Sequence, residues 1–378
     1  MAADRSLELR AALVIGLAAA LSDAACQGVG LSGDSVAYGA VIAALVVRPD
    51  FSRWPLLIYP VLLALVGLCL AIGVSLGLGL ADAPELFVFG LVAALMQLIG
   101  LVLPSKLRIL SGVVAIAGVL PLLGTPSWAS WRDQMLALSL GLAIGTLLQV
   151  TFTPAAVQAQ EETSSSEEPA APELSVGARL SRGLRSPFFW RKLIFASLAY
   201  TIGVGVGAVT PKYLYFGVVL LLNDSIGATL ARVRDRMVGV SLGVLMPLLV
   251  FNTLGLSEVS VGLVMGGTAA LVVALNHQST LRTALISSGV AFIGYGPLVA
   301  WYIPHRWIDY LMGCGLALAV GLLLFPSSAL RRFNALSNDV SQPDRWTELQ
   351  ALLPAASEEA RWLGLPTPEP PTPQLPGA

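Results

Sequence analysis

Twelve apolar stretches, each near the length that crosses a bilayer, partition this chain up to about residue 326. They run roughly 11–30, 35–48, 54–80, 86–103, 107–124 and 134–152, then 189–209, 213–231, 237–256, 259–276, 281–300 and 307–326. A hydrocarbon core needs about 20 apolar residues per helix. Backbone in lipid must satisfy its own N–H and C=O groups, which confines a spanning chain to helices or a closed barrel. Runs of this length therefore predict an all-α polytopic membrane protein of about twelve helices. Only 12% of the residues are charged and 56% are hydrophobic, against about 25% charged in a soluble domain. Pro84, Pro104, Pro126, Pro211 and Pro326 stand where helices are expected to stop or start.

Lys and Arg fall almost entirely in alternate connections. With the N-terminus inside, the inner side holds seventeen, from Arg5 and Arg10 to Arg331 and Arg332, and the outer side only Arg132, Lys212 and Arg306. Cytoplasmic loops retain such charge, so both termini are expected in the cytoplasm. Segment 11–30 is too long for the core of a cleaved signal peptide. The net charge of −1 is segregated by loop and gives no footprint for nucleic acid. Cys26, Cys69 and Cys314 all lie in apolar segments and suggest neither a disulfide framework nor a metal site.

The two halves resemble each other. Ser105-Lys106-Leu107-Arg108 opens the fifth segment as Ser279-Thr280-Leu281-Arg282 opens the eleventh. Trp131 and Asp133 open the sixth as Trp307 and Asp309 open the twelfth, and Tyr38 heads the second as Tyr213 heads the eighth. Six spans per half predict two parallel repeats, 1–152 and 189–326, with a solute path at or near their interface. Between them, 153–188 is a cytoplasmic linker whose Gln160–Glu173 stretch is acidic and Ser/Pro/Ala-rich, hence disordered. Val176, Leu180 and Leu184 then alternate with Arg179, Arg182 and Arg185 as on a basic amphipathic helix lying on a membrane. The tail, 327–378, is expected to be partly disordered, with one short helix near Trp346–Leu353.

The stretch Tyr213–Gly243 concentrates the candidates for function. It reads as an apolar helix interrupted by Asn223, Asp224 and Ser225, then a basic turn with Arg232, Arg234 and Arg236, then a second apolar helix. An ionised Asp inside a span costs roughly 2.5–3.5 kcal/mol at mid-bilayer, so it faces a partner or a water-filled cavity. The second segment is also short, ending at Arg48-Pro49-Asp50 at the same distance from its tyrosine. Breaks in matching helices point to a transport site; otherwise 48–50 is a plain turn and Asn223 and Asp224 bond between helices. Asp23 is either a proton carrier or a cap where the first helix breaks before Gln27-Gly28. Arg53, Arg108, Arg232, Arg236 and Arg282 stand at inner helix ends, where topology alone calls for positive charge; as a ring they would also attract an anion. Gly73/Gly77, Gly141/Gly145, Gly203/Gly207, Gly239/Gly243 and Gly262/Gly266 have the spacing of close helix contacts. No nucleophile with its base, phosphate-cradling loop or metal-ligand set is visible, so neither an enzyme nor a cofactor is expected.

Tyr213 heading a short span, the break at Asn223–Ser225, the Gly227–Leu230 continuation, and Arg236, Gly239 and Gly243 entering the next span together resemble the fusaric acid resistance and aromatic acid exporter family. The resemblance implies export of small organic, often aromatic, carboxylates across a bacterial inner membrane. Plant aluminium-activated malate channels look like distant relatives, which keeps an anion channel open as the alternative, beside a non-transporting scaffold. The expected partners are the bilayer and a small organic anion, with a homo-oligomer open. Arg48 and the inner arginines would gather the anion, and Asp224, with or without Asp23, would carry a coupling proton.

Overall fold

The computed structural model describes residues 2–48, 51, 87, 89–90, 93–94, 97–98, 101, 128–154, 175–208, 211–222, 225–294, 299–324, 328–338 and 345–369. Among them every regular element is helical: α1 (Ala2–Gly28), α2 (Asp34–Val46), α3 (Trp128–Phe152), α4 (Val176–Arg185), α5 (Pro187–Gly205), α6 (Lys212–Leu221), α7 (Ile226–Leu254), α8 (Glu258–Ala274), α9 (Leu281–Gly289), α10 (Val299–Ala319), α11 (Ala329–Asn338) and α12 (Arg345–Trp362). α9 and α10 run on into π-helical turns, Val290–Gly294 and Val320–Leu324. Among the described residues four stretches are long and apolar enough to cross a membrane, Ser6–Gly28, Arg132–Phe152, Ile226–Leu254 and Ile303–Leu323, and two apolar helices are shorter, Ser35–Val46 and Glu258–Ala274. The predicted third and fifth segments lie outside the described residues.

α1 shows how the sequence selects its surroundings. Leu9, Leu13, Leu17 and Leu21 recur every fourth residue and are exposed, whereas Ala11, Ala12, Ile15, Ala18 and Ala19 are buried. A soluble helix turns its large apolar side chains inward. Small residues inside and leucines outside is the arrangement suited to lipid, where close packing rather than removal from water drives helix association.

The chain packs as two units, Met1–Ser186 with Arg236–Ile308, and Pro187–Asp235 with Asp309–Ala378. In the first, α1 crosses α8 backbone to backbone: a Cβ on Gly16 would stand 2.6 Å from the carbonyl oxygen of Gly262. α2 meets α3 in the same way, with Gly141 against the main chain of Gly39 and a Cβ on Gly145 falling 2.6 Å from the oxygen of Ala43. Gly239 and Gly243 of α7 lie on Thr283 and Ala284 of α9. Four of the paired glycine spacings are thus described as close contacts at one or both members, Gly203 resting on Pro211. Gly207 instead sits in a turn with φ +71°, and Gly73/Gly77 lie outside the described residues. α8 and α9 are further joined by a buried hydrogen bond between the Thr268 and Ser288 hydroxyls at 3.0 Å.

In the second unit, Gly217 of α6 lies on the main chain of Gly313 in α10, where an added Cβ would come within 2.7 Å. The tail forms a helical hairpin, α11 on α12, around Phe333, Leu336, Leu349 and Ala356. Buried Glu359 accepts from the N–H groups of Ala329 and Leu330 at 2.8 and 3.3 Å and so caps α11. An ion pair, Arg332 with Glu348, ties the two helices.

Three expectations are corrected. The basic turn at Arg232–Arg236 is helical: α7 runs unbroken from Ile226 to Leu254. The stretch Leu230–Met237 contains neither Gly nor Pro, and arginine is a good helix former, so the helix carries through it. The predicted connection at 301–306 lies within α10, which continues through Pro304. One proline forfeits a single backbone hydrogen bond, and no second breaker stands beside it. The tail, read as one short helix in a solvated segment, carries two packed helices, and Ala355 and Glu359 of α12 lie directly on Gly227 of α7. In the linker, α4 does form, capped by Ser175, with Val176, Leu184 and Arg185 exposed.

Candidate functional site

α2 and α6 end alike. α2 stops at Val46 and its next residue, Val47, is extended (φ −72°, ψ 120°); α6 stops at Leu221 and Leu222 is extended (φ −62°, ψ 122°). Val47 is nine residues after Tyr38, and Leu222 nine after Tyr213. Different chemistry produces the same break. In the first half Pro49 follows Arg48, and a proline disfavours the helical conformation of the residue before it. In the second, Leu222 precedes Asn223, Asp224 and Ser225, side chains that compete for backbone hydrogen bonds. Ser225 explains itself locally: its Oγ accepts the N–H of Ala228 at 3.2 Å, capping α7.

The first break can be built atom by atom. The N–H of Arg48, freed from the helix, donates to Oε1 of Gln149 on α3 at 3.2 Å. The chain then turns back, the N–H of Phe51 donating to the Arg48 carbonyl at 3.1 Å. Phe51 is fully buried and holds φ +50°, a conformation that side-chain-bearing residues adopt at a cost of order 1 kcal/mol or more. Gln149 is completely buried, and its Nε2 has no hydrogen-bond partner among the described residues.

Two of the sequence-selected arginines meet here. The charges of Arg48 and Arg282 lie close enough to repel. Arg236 stands within α7, three residues before Gly239, whose position contacts Thr280 and Thr283 at the start of α9. The first unit thus brings Arg282 within electrostatic reach of Arg48, whose N–H is held by Gln149. Positive charge beside an amide N–H is chemistry that can take up an anion.

Other candidates stand apart. Asp23 is buried and accepts from Gln27 Nε2 at 2.7 Å. It is no cap, because α1 continues to Gly28. Glu8 of α1 accepts from Gln278, just before Arg282, at 3.3 Å. Asp23, fifteen residues along the same helix, is therefore about 22 Å from that level at 1.5 Å per residue. Ser225 lies eleven residues before Arg236 on one line of helix, about 16 Å away. Asn223, Asp224, Arg53 and Arg108 lie outside the described residues. Gln149 is the residue that motif reading passed over. Its signal was a single amide in the apolar run Leu147-Leu148-Gln149-Val150.

Residues 194–320 match the family model described as Fusaric acid resistance protein-like. Comparison with curated proteins and with solved structures gives no match. The matched stretch contains α6, the second break, the arginines of α7 and the Gly239/Gly243 contact, the same residues on which the resemblance rests. With its apolar helices the chain is a multi-pass membrane protein whose described regular elements are all helical, and over residues 194–320 it is similar to the fusaric acid resistance protein-like family.

Proposed function

We propose that this protein exports small organic carboxylates, aromatic ones above all, across a bacterial inner membrane, with both termini in the cytoplasm and proton entry driving the exit of the anion. The family match suggests a membrane transporter-like role in general terms. The observation that carries the finer reading is the pair of matching helix breaks, at Val47 and Leu222, the first flanked by Arg48 and Arg282. Unwound backbone inside a membrane bundle is tolerated beside a cavity or buried protein, and broken helices in corresponding positions of two halves mark transport sites. Arg48 and Arg282 supply the charge that draws an anion in.

Asp224, next to the second break, is assigned the coupling proton. Flux of 4-hydroxybenzoate in proteoliposomes, with and without a pH gradient, tests the assignment. Gradient-driven flux in the wild type and its loss in Asp224→Asn support it. Gradient-driven flux that survives Asp224→Asn removes Asp224 from the mechanism. Voltage-driven current without dependence on the gradient makes the protein an anion channel instead.

A further inference from the structure

We infer that Gln149 is a substrate-binding residue, its Nε2 donating a hydrogen bond to the carboxylate held at the first break. The inference rests on the reading of that break as an anion site and adds a specificity device to it. Which end of the amide meets Arg48 is not arbitrary. The Arg48 main chain offers an N–H, a donor, so the atom opposite it must be the amide oxygen. That bond fixes the amide and leaves Nε2 directed elsewhere, with no partner among the described residues although Gln149 is completely buried. Leaving a buried donor unpaired costs about 1–3 kcal/mol. The amide oxygen serves the Arg48 N–H, and the nitrogen is left for a ligand's acceptor to complete.

The chemistry of the site selects the ligand. Arg48 and Arg282 supply positive charge without directionality across the break, while the amide, held by α3 against the end of α2, supplies one directed donor. A carboxylate offers two acceptor oxygens and no donor, and satisfies both. An amine or a guanidine brings a donor and a positive charge, and satisfies neither. The Gln149 amide therefore works as a filter for acceptor-only head groups, and it acts at the point where the arginines hold the charge.

Gln149→Glu is the decisive variant, because it is nearly isosteric and its carboxylate still accepts the Arg48 N–H, yet it turns the donor into an acceptor that carries the ligand's own charge. Binding of radiolabelled benzoate to purified detergent-solubilised protein is measured beside thermal stability, with Gln149→Met as a second variant that removes both polar atoms. The expected result is benzoate affinity lowered about ten- to a hundredfold in Gln149→Glu, as for loss of a charge-assisted hydrogen bond, with melting temperature held or raised. Gln149→Met is expected to lower both affinity and stability. Benzoate affinity unchanged in Gln149→Glu overturns the inference, and so does a wild type that binds no benzoate. Proteoliposome flux separates this from the transport reading: benzoate binding that depends on Gln149 without any flux leaves the site standing and removes the exporter.

Discussion

Glu358 of the tail holds Arg234 of α7 through both carboxylate oxygens, at 2.8 and 2.7 Å. The pair joins residues 124 positions apart in sequence, and the same carboxylate also reaches Arg361 at 3.3 Å. Arg234 is half exposed, and both contacts are made by the same nitrogen, Nη1, which limits what the pair is worth in water. A double-mutant cycle over Arg234→Ala and Glu358→Gln should give a coupling of about 0.5–1 kcal/mol, read from hydrogen exchange of α12. It should shrink at 1 M salt, where charges are screened within about 3 Å. Coupling that ignores salt would mean the tail is held by packing alone.

Packing is tested at Gly227. Its added Cβ would meet the Ala355 carbonyl of α12, so Gly227→Ala should loosen the tail helix by about 1–3 kcal/mol, the usual cost of overpacking. Gly177 in α4 is the control, because nothing lies within 4 Å of its Cβ position. There the same change should stabilise the helix by up to about 1 kcal/mol. Limited proteolysis of the C-terminal segment reports the first, and helicity of the isolated linker peptide with lipid vesicles reports the second.

The Thr268–Ser288 bond between α8 and α9 sits at full burial. Polar bonds between membrane helices average about 0.6 kcal/mol, so Thr268→Val and Ser288→Ala should couple by about 0.5–1.5 kcal/mol in thermal melts. A coupling near zero would mean each hydroxyl returns to its own helix backbone when its partner is lost.

Ser225 and Asp224 are neighbours with separable roles. Ser225→Ala removes the cap on Ala228 and should lower stability by about 0.5–2 kcal/mol, leaving the pH dependence of flux in place. Asp224→Asn should do the reverse, abolishing the gradient dependence with little change in melting temperature. Measuring both variants in one proteoliposome series separates structure at the break from proton coupling.

Helix existence was legible because hydrophobic length is a strong signal, and the break at Leu222 was legible because Asn, Asp and Ser seldom share an apolar run. The exact place where the chain turns was harder. Charge at Arg232–Arg236 looks like a loop when topology is counted, yet nothing in those side chains breaks a helix. Pro304 looks like a stop, yet one proline is affordable in a helix with apolar flanks. Among the arginines the pairing was hidden: Arg48 and Arg282 are 234 positions apart, and no local pattern pairs them. Gln149 was invisible for another reason. A lone amide in a span becomes meaningful only when its oxygen is seen to be taken and its nitrogen is not.

The glycine crossings of the first unit also limit where a solute can travel. Between α1 and α8 at Gly16 and Gly262, and between α2 and α3 at Gly39 and Gly141, main chain rests on main chain with no room for a single added carbon. Neither water nor a lipid tail fits such a seam, and a carboxylate with its ring fits still less. At these levels the two crossings are closed, and a permeation path through this unit must pass beyond them.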